Sequence, residues 1–280
     1  MWGPFQTHKA HFSQAAHKSG RHNYVLCASQ LGLHRMHYTE WGDPDNRRTL
    51  ICAHGLTRNG RDFDTLARYL SNKYRVVCPD FVGRGESDWL SNASLYGFSQ
   101  YIADSLVLLA RLDIEQADWL GTSMGGLIGM CIAAMKLNPI KKLILNDVGP
   151  EISRQSLLRI GEYLGKTWHW PDISSAEKSM REHYAPFGTL SDNQWKTLTS
   201  HSVRPAPDGG FQPHYDPGLA KPFLHATELQ DSNLWQQYDT ITCPVLTIRG
   251  ADSDLLTPAV LQKMTQRLSL IHISEPTRPY

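Results

Sequence analysis

Ser123 stands in the run Gly121-Thr122-Ser123-Met124-Gly125-Gly126, with the apolar stretch Ala117 to Leu120 before it and a longer one, Leu127 to Leu137, after it. A short apolar strand, a glycine-flanked serine and a buried helix form the layout of a nucleophile elbow. A serine turned out of so sharp a corner sits in strained backbone, and neighbours without side chains let strand and helix approach. Gly121, Gly125 and Gly126 supply them. The hydroxyl would lie at a helix N-terminus, where free N–H groups and the helix dipole favour a developing negative charge. The amide of Met124 is then the natural oxyanion donor, and the chemistry is nucleophilic attack on a carbonyl. The bare pentapeptide could also serve packing alone, so the flanking elements decide.

Tyr24 to Gln30 and Leu33 to Trp41, separated by Gly32, read as strands of an opening hairpin, and Gly42 to Asn46 is a turn cluster. Leu50 to Ala53 is a short apolar strand running into the loop His54-Gly55-Leu56-Thr57, with a helix from Phe63 to Leu70. Lys73 to Cys78 is the next strand, and Phe98 to Leu112 a helix with Ser99 as candidate N-cap. Lys141 to Asn146 and Val245 to Arg249 follow as strands. Strands alternating with helices at this rhythm imply a parallel sheet covered on both faces. From 151 to 235 the rhythm breaks into helix-like stretches with scattered aromatics (Trp168, Trp170, Phe187, Trp195, Phe211, Phe223), which reads as an inserted helical cap. Those aromatics suggest an apolar substrate, or simply the cap's own core.

Other candidates carry less. The glycine-rich loop Asp80 to Ser87 lacks a third glycine at the dinucleotide offset and a P-loop lysine, so it does not read as a phosphate cradle. Five cysteines (Cys27, Cys52, Cys78, Cys131, Cys243) are widely spaced and set mostly in apolar runs, as buried thiols of a reducing compartment are. That points to the cytoplasm. No pair has zinc-ligand spacing, and His8 and His11 lie in a polar N-terminal stretch, so neither metal nor cofactor is expected. A formal net charge of +1 gives no reason to expect nucleic acid or an anionic membrane as partner, and no apolar run reaches membrane-spanning length.

With those pieces placed, the chain resembles the α/β-hydrolase superfamily over about Tyr24 to Arg267. The motifs are His54-Gly55-Leu56, the Asp80 to Ser87 loop, the Gly121 to Gly125 elbow, and Gly250-Ala251-Asp252-Ser253-Asp254 followed by Pro258. The resemblance implies an α/β-hydrolase fold, a mostly parallel sheet with helices on both faces. Its core would comprise 23–150 and 236–267, its cap 151–235, with 1–22 an N-terminal tail. It implies Ser123 as nucleophile and the amides of Leu56 and Met124 as the oxyanion hole. Asp254, four residues before Pro258, is the favoured triad acid, with Asp252 and then Asp147 as alternatives. His54, Gly83, Arg84 and Gly85 are read as structural.

The base departs from the pattern. The histidine that follows Asp254 is His272, within Leu268 to Arg278, and residues 268–280 resemble the in-frame translation of a transposase-type sequencing adapter. The expectation is therefore that the C-terminal strand and helix of the sheet are missing, and with them the catalytic histidine. The leading function is a serine hydrolase of an apolar ester, lactone, thioester or ketone, with haloperoxidase-like chemistry open to the same residues. A serine at the elbow argues against haloalkane dehalogenase and epoxide hydrolase relatives, which need a carboxylate there. The alternative is a non-catalytic ligand-binding protein on the same fold, or an inactive fragment.

Overall fold

The computed structural model describes residues 19–164, 166, 168–185, 188–223, 231–268 and 270–275. His8, His11 and His17 of the N-terminal tail, and Phe187, lie outside the described residues. In chain order, β1 (Arg21–Ser29) and β2 (Gly32–Trp41) form an antiparallel hairpin. Then come β3 (Thr49–Ala53), α1 (Asp64–Leu70), β4 (Arg75–Pro79), α2 (Phe98–Arg111), β5 (Ala117–Thr122), α3 (Met124–Ala133) and β6 (Ile140–Asn146). An insertion follows, with β7 (Glu151–Ile152), α4 (Arg154–Leu164), α5 (Ile173–His183), α6 (Asp192–Ser202), β8 (Val203–Pro205), β9 (Phe211–Pro213) and β10 (Ser232–Asn233). The chain returns through α7 (Trp235–Asp239), β11 (Val245–Gly250), α8 (Pro258–Arg267) and β12 (Leu270–Glu275).

Eight strands make one sheet in the order β1-β2-β4-β3-β5-β6-β11-β12, parallel from β4 onward, with helices on both sides. Strands buried on both faces need near-continuous apolar sequence, and β3 is buried at every position. Helix α3 is buried almost all round, as its apolar run requires. Helix α2 presents Tyr101, Ser105, Leu108 and Leu109 to the core, the spacing of one helical face. Register aligns the strand ends: Ala53 pairs with Gly121, Thr122 with Asn146, and Asn146 with Ile248. The loops after β3, β5, β6 and β11 therefore leave one edge of the sheet, where ligands bind in open α/β folds.

Three expectations are corrected. The sheet does not end at β11, because Leu270–Glu275 pairs with it in parallel from Val245↔Leu270 to Gly250↔Glu275. An open strand edge offers unpaired N–H and C=O groups, and Leu270-Ile271-His272-Ile273 has the apolar, β-branched composition that takes them. The insertion is not purely helical: β7 pairs with β10 and β8 with β9, the latter turning at Gly209 and Gly210, whose φ values of 94° and 71° suit glycine. Ser99 is not the cap of α2, since the ladder begins upstream with the Tyr101 amide on the Gly97 carbonyl and Gly97 holds the N-cap position.

Candidate active site

Ser123 follows β5 directly and adopts φ 50°, ψ −116°, a conformation a non-glycine residue rarely takes. Its backbone is over-determined. The Ser123 amide donates to the Asn146 carbonyl at 3.0 Å, and its carbonyl accepts from Gly126 and Leu127 at 2.9 and 3.1 Å. The glycines explain how the corner closes. A Cβ at Gly121 would lie 2.3 Å from the Gly125 carbonyl, and one at Gly125 only 2.1 Å from the Ala53 carbonyl oxygen. The buried Trp119 donates its indole N–H to the Gly125 carbonyl at 2.9 Å, pinning α3 to β5. Among the described residues no hydrogen-bond partner reaches the Ser123 hydroxyl.

The loop after β3 faces this serine, since a Cβ built at Gly55 would lie 3.8 Å from the Ser123 Cβ. Among the described residues no acceptor takes the Leu56 amide, and Met124 is the first residue of α3, whose amide the helix leaves unpaired. His54 supports the loop. Its Nδ1 donates to the Gly55 carbonyl at 2.7 Å and its Nε2 accepts from the Phe81 amide at 2.9 Å. Burial pushes its pKa down to about 4, so the ring is a neutral bridge between two loops. Arg84, fully buried, donates to the carbonyls of Leu56 and Val82 at 2.8 Å each and reaches the Met124 sulfur at 3.5 Å. It thus touches both residues whose amides the sequence singles out. Asp80 anchors the same loops, accepting from the Gly60 amide at 2.6 Å, the Glu86 amide at 3.0 Å and His37 at 2.8 Å. Burial alone would raise the Asp80 pKa, but the His37 hydrogen bond and charge outweigh it and hold it low.

The acids lie beyond the ends of β6 and β11. Asp254 is half-exposed and paired with Arg159 of α4, at 2.6 and 2.9 Å. Asp252 is exposed. Asp147 sits at φ 55° with Oδ1 accepting from the Gly250 amide at 3.0 Å, while burial raises its pKa. Its carboxylate ties β6 to the β11 loop. His272 lies on β12 opposite Thr247, and its side chain is outside what is described. Among the described residues no histidine hydrogen-bonds to Ser123, Asp147, Asp252 or Asp254.

The insertion brings residues to this edge that the sequence did not mark. Arg58, two positions past Leu56, is buried and donates to Asp62 at 2.5 and 2.9 Å and to the Ser202 hydroxyl at 2.6 Å. Tyr163, Tyr184 and Tyr215 gather beside it. The aromatics Trp168, Trp170, Trp195 and Phe211 instead pack with Met180 and Val203 as the insertion's own core. The cavity among Tyr163, Trp168, Trp170 and Met180 holds about 10 Å³, room for roughly one water. Cys27, His34 and Asp104 offer potential metal ligands within 4.8 Å of one another. Asp104 already accepts from His34 at 3.0 Å and Gln100 at 2.7 Å, so protons occupy the sites a cation would need.

Residues 48–165 match the sequence model of the alpha/beta hydrolase fold. A 3-hydroxybutyrate-oligomer hydrolase of Cupriavidus necator is 46% identical over 256 residues, covering 89% of this chain and 87% of the relative. A 3-oxoadipate enol-lactonase of Acinetobacter baylyi is 25% identical over 91% of both chains. The crystal structure of an alpha/beta hydrolase from Novosphingobium aromaticivorans superposes with a TM-score of 0.83 at 32% identity, covering 93% of this chain and 91% of that one. Among the described residues no helix is long and apolar enough to cross a membrane.

Proposed function

Because the chain belongs to the α/β-hydrolase fold family, we propose that it is a serine hydrolase that cleaves ester bonds between short 3-hydroxy acid units. As a hydrolase of this fold it needs a nucleophile, an oxyanion hole and a proton acceptor. The observation that carries the reading is Ser123 held at φ 50° on the N-terminus of α3, its hydroxyl without a hydrogen bond among the described residues. Ser123 Oγ attacks the ester carbonyl carbon, and the amides of Leu56 and Met124 take the oxyanion. Collapse of the tetrahedral intermediate releases the alcohol, which leaves with the proton taken from the serine. Water then hydrolyses the acyl-enzyme. Asp254 is the acid that orients the base, on its place four residues before Pro258 and the chain order Ser, Asp, His. The relative at 46% identity supports the ester class.

The base is a histidine that follows Asp254 in the chain order Ser, Asp, His. Residues 268–280 resemble adapter sequence, so the 280-residue chain is a weak catalyst, and the chain continued past Arg267 with its natural sequence is an efficient one. The test is hydrolysis of a linear 3-hydroxybutyrate oligomer and of p-nitrophenyl butyrate by both forms. Ser123→Ala is expected to lower kcat of the efficient form by several orders of magnitude with folding intact. Near wild-type turnover by the alanine variant would remove Ser123 from the mechanism.

A further inference from the structure

Tyr215 is a buried tyrosine, 5% exposed, whose hydroxyl makes no well-formed hydrogen bond among the described residues, although the Tyr163 side chain is close enough to interact with it. Buried phenols almost always find one, and leaving one unmade is costly. Its surroundings are not apolar. The Tyr163 and Tyr184 hydroxyls bond to each other at 3.1 Å, Tyr215 lies beside Tyr163, and the Arg58 guanidinium stands 5.5 Å from the Tyr184 ring centre. Three phenols and a guanidinium therefore converge.

The cluster adjoins the reacting centre by two routes. A Cβ at Gly55 would touch Arg58 Cγ and Ser123 Cβ at 3.8 Å each, so Arg58 and Ser123 flank one glycine. Tyr215 pairs by a backbone bridge with Arg84, whose guanidinium holds Leu56 and Met124.

Electrostatics select the ligand. The charge of Arg58 is already matched by Asp62 through two contacts, so the cluster is close to neutral as a whole. A carboxylate would bring an unmatched charge into a desolvated site, which is costly. Burial raises the pKa of Tyr163 and of Tyr215, so both phenols remain protonated donors. An uncharged oxygen accepting from them satisfies the site.

Resting on the serine-hydrolase reading above, we propose that Arg58, Tyr163, Tyr184 and Tyr215 form a subsite for an uncharged oxygen on the acyl side of the scissile ester, selecting hydroxyacyl over plain alkanoyl esters. A site built to hydrogen-bond a substrate hydroxyl penalises the analogue that lacks it, because its buried polar groups are left unpaired.

The test uses two esters differing by one hydroxyl: the linear dimer of 3-hydroxybutyrate, and butyrate esterified to 3-hydroxybutyrate. Binding to the full chain is measured by calorimetry and cleavage by product release. The expected result is a preference of at least about tenfold for the hydroxyl-bearing ester in Kd or kcat/KM. Tyr215→Phe should collapse that ratio toward one through loss on the hydroxyl-bearing ester. Tyr163→Phe, at a less buried position, should lower it too and serves if Tyr215→Phe does not fold. A wild-type chain that treats both esters alike, or variants that keep the wild-type ratio, overturns the subsite. Unselective cleavage of both esters leaves the serine-hydrolase reading standing. Selective binding without cleavage in the naturally continued chain supports the subsite and removes that reading, whereas no binding of either ester overturns the subsite.

Discussion

Gly125→Ala adds a single methyl where α3 crosses the end of β3. Its Cβ would lie 2.1 Å from the Ala53 oxygen, 2.5 Å from the Ala53 carbonyl carbon and 2.8 Å from the Ala53 Cβ. To reach the 3.4 Å of ordinary contact, the two backbones must part by about 1 Å. Neither side yields easily. Ala53 ends a fully buried central strand, and the Gly125 carbonyl is held by Trp119. Overpacking of this kind costs about 1–3 kcal/mol, and a clash with backbone on both sides belongs at about 3. A chain of 280 residues unfolds with an entropy of ~0.6 kcal/mol/K, so Tm should fall by ~5 °C. The same shift carries the Met124 amide away from Leu56, and a misplacement of about 1 Å is worth ~10²-fold in rate. Gly97→Ala is the control. Its Cβ meets nothing within 4 Å, and φ of −177° suits any residue, so only the weaker N-cap is felt, about 1 °C. Scanning calorimetry reads all three chains. A Gly125→Ala chain melting within about 1 °C of wild type would refute the close approach on which the elbow depends.

Two further outcomes are expected. His54 stays neutral in the fold down to about pH 4, whereas in the unfolded chain it takes a proton below its ordinary value of 6.5. Between those values only the unfolded state binds the proton, so the contribution is complete above pH 6.5 and lost as pH falls toward 4, by about 2 kcal/mol between pH 7 and pH 5. Burial lowers His22 and His201 as well and adds to the same slope, while Asp80, held low, adds its loss only below its ordinary carboxylate value of 3.8. Urea unfolding at both pH values measures this, with His54→Gln expected to flatten the slope, and a wild-type profile already flat over that range would sink the argument. Asp254→Asn should cost far more kcat than Asp252→Asn in the naturally continued chain, because a triad carboxylate fixes the histidine tautomer and stabilises its cation. The reverse order would move the acid to Asp252.

The elbow was legible because its chemistry is local: the glycines that admit α3 stand within three residues of Ser123, and their absence of side chains is visible in the sequence itself. The strand rhythm was legible for a related reason, since buried parallel strands must be continuous apolar runs. What escaped depends on contacts between distant segments. Arg58 is one charged residue in a loop until Ser202 and Tyr184, more than a hundred positions later, fold against it. Arg159 gives no signal of its pairing with Asp254, 95 residues away. β12 gives no family signal, because its residues resemble adapter sequence, yet an unpaired parallel edge takes any suitable apolar segment.

The distribution of contacts also says what the insertion does for the site. Several of its hydrogen bonds to the rest of the chain fall on the loops after β3 and β4. The Gly85 amide donates to the His214 carbonyl at 2.9 Å, the Asp216 amide to the Gly83 carbonyl at 2.8 Å, and the Tyr96 hydroxyl to Asp216 at 2.5 Å. On the other loop, Arg58 holds Ser202 and the Asn59 amide group donates to the His201 carbonyl at 2.6 Å. Arg84 sits between these ties, bridged to Tyr215 on the insertion side and bonded to Leu56 on the core side. If the Leu56 amide donates to the oxyanion, the insertion is part of the scaffold that positions it, and substitutions at His214 or Asp216 are expected to lower kcat through Arg84.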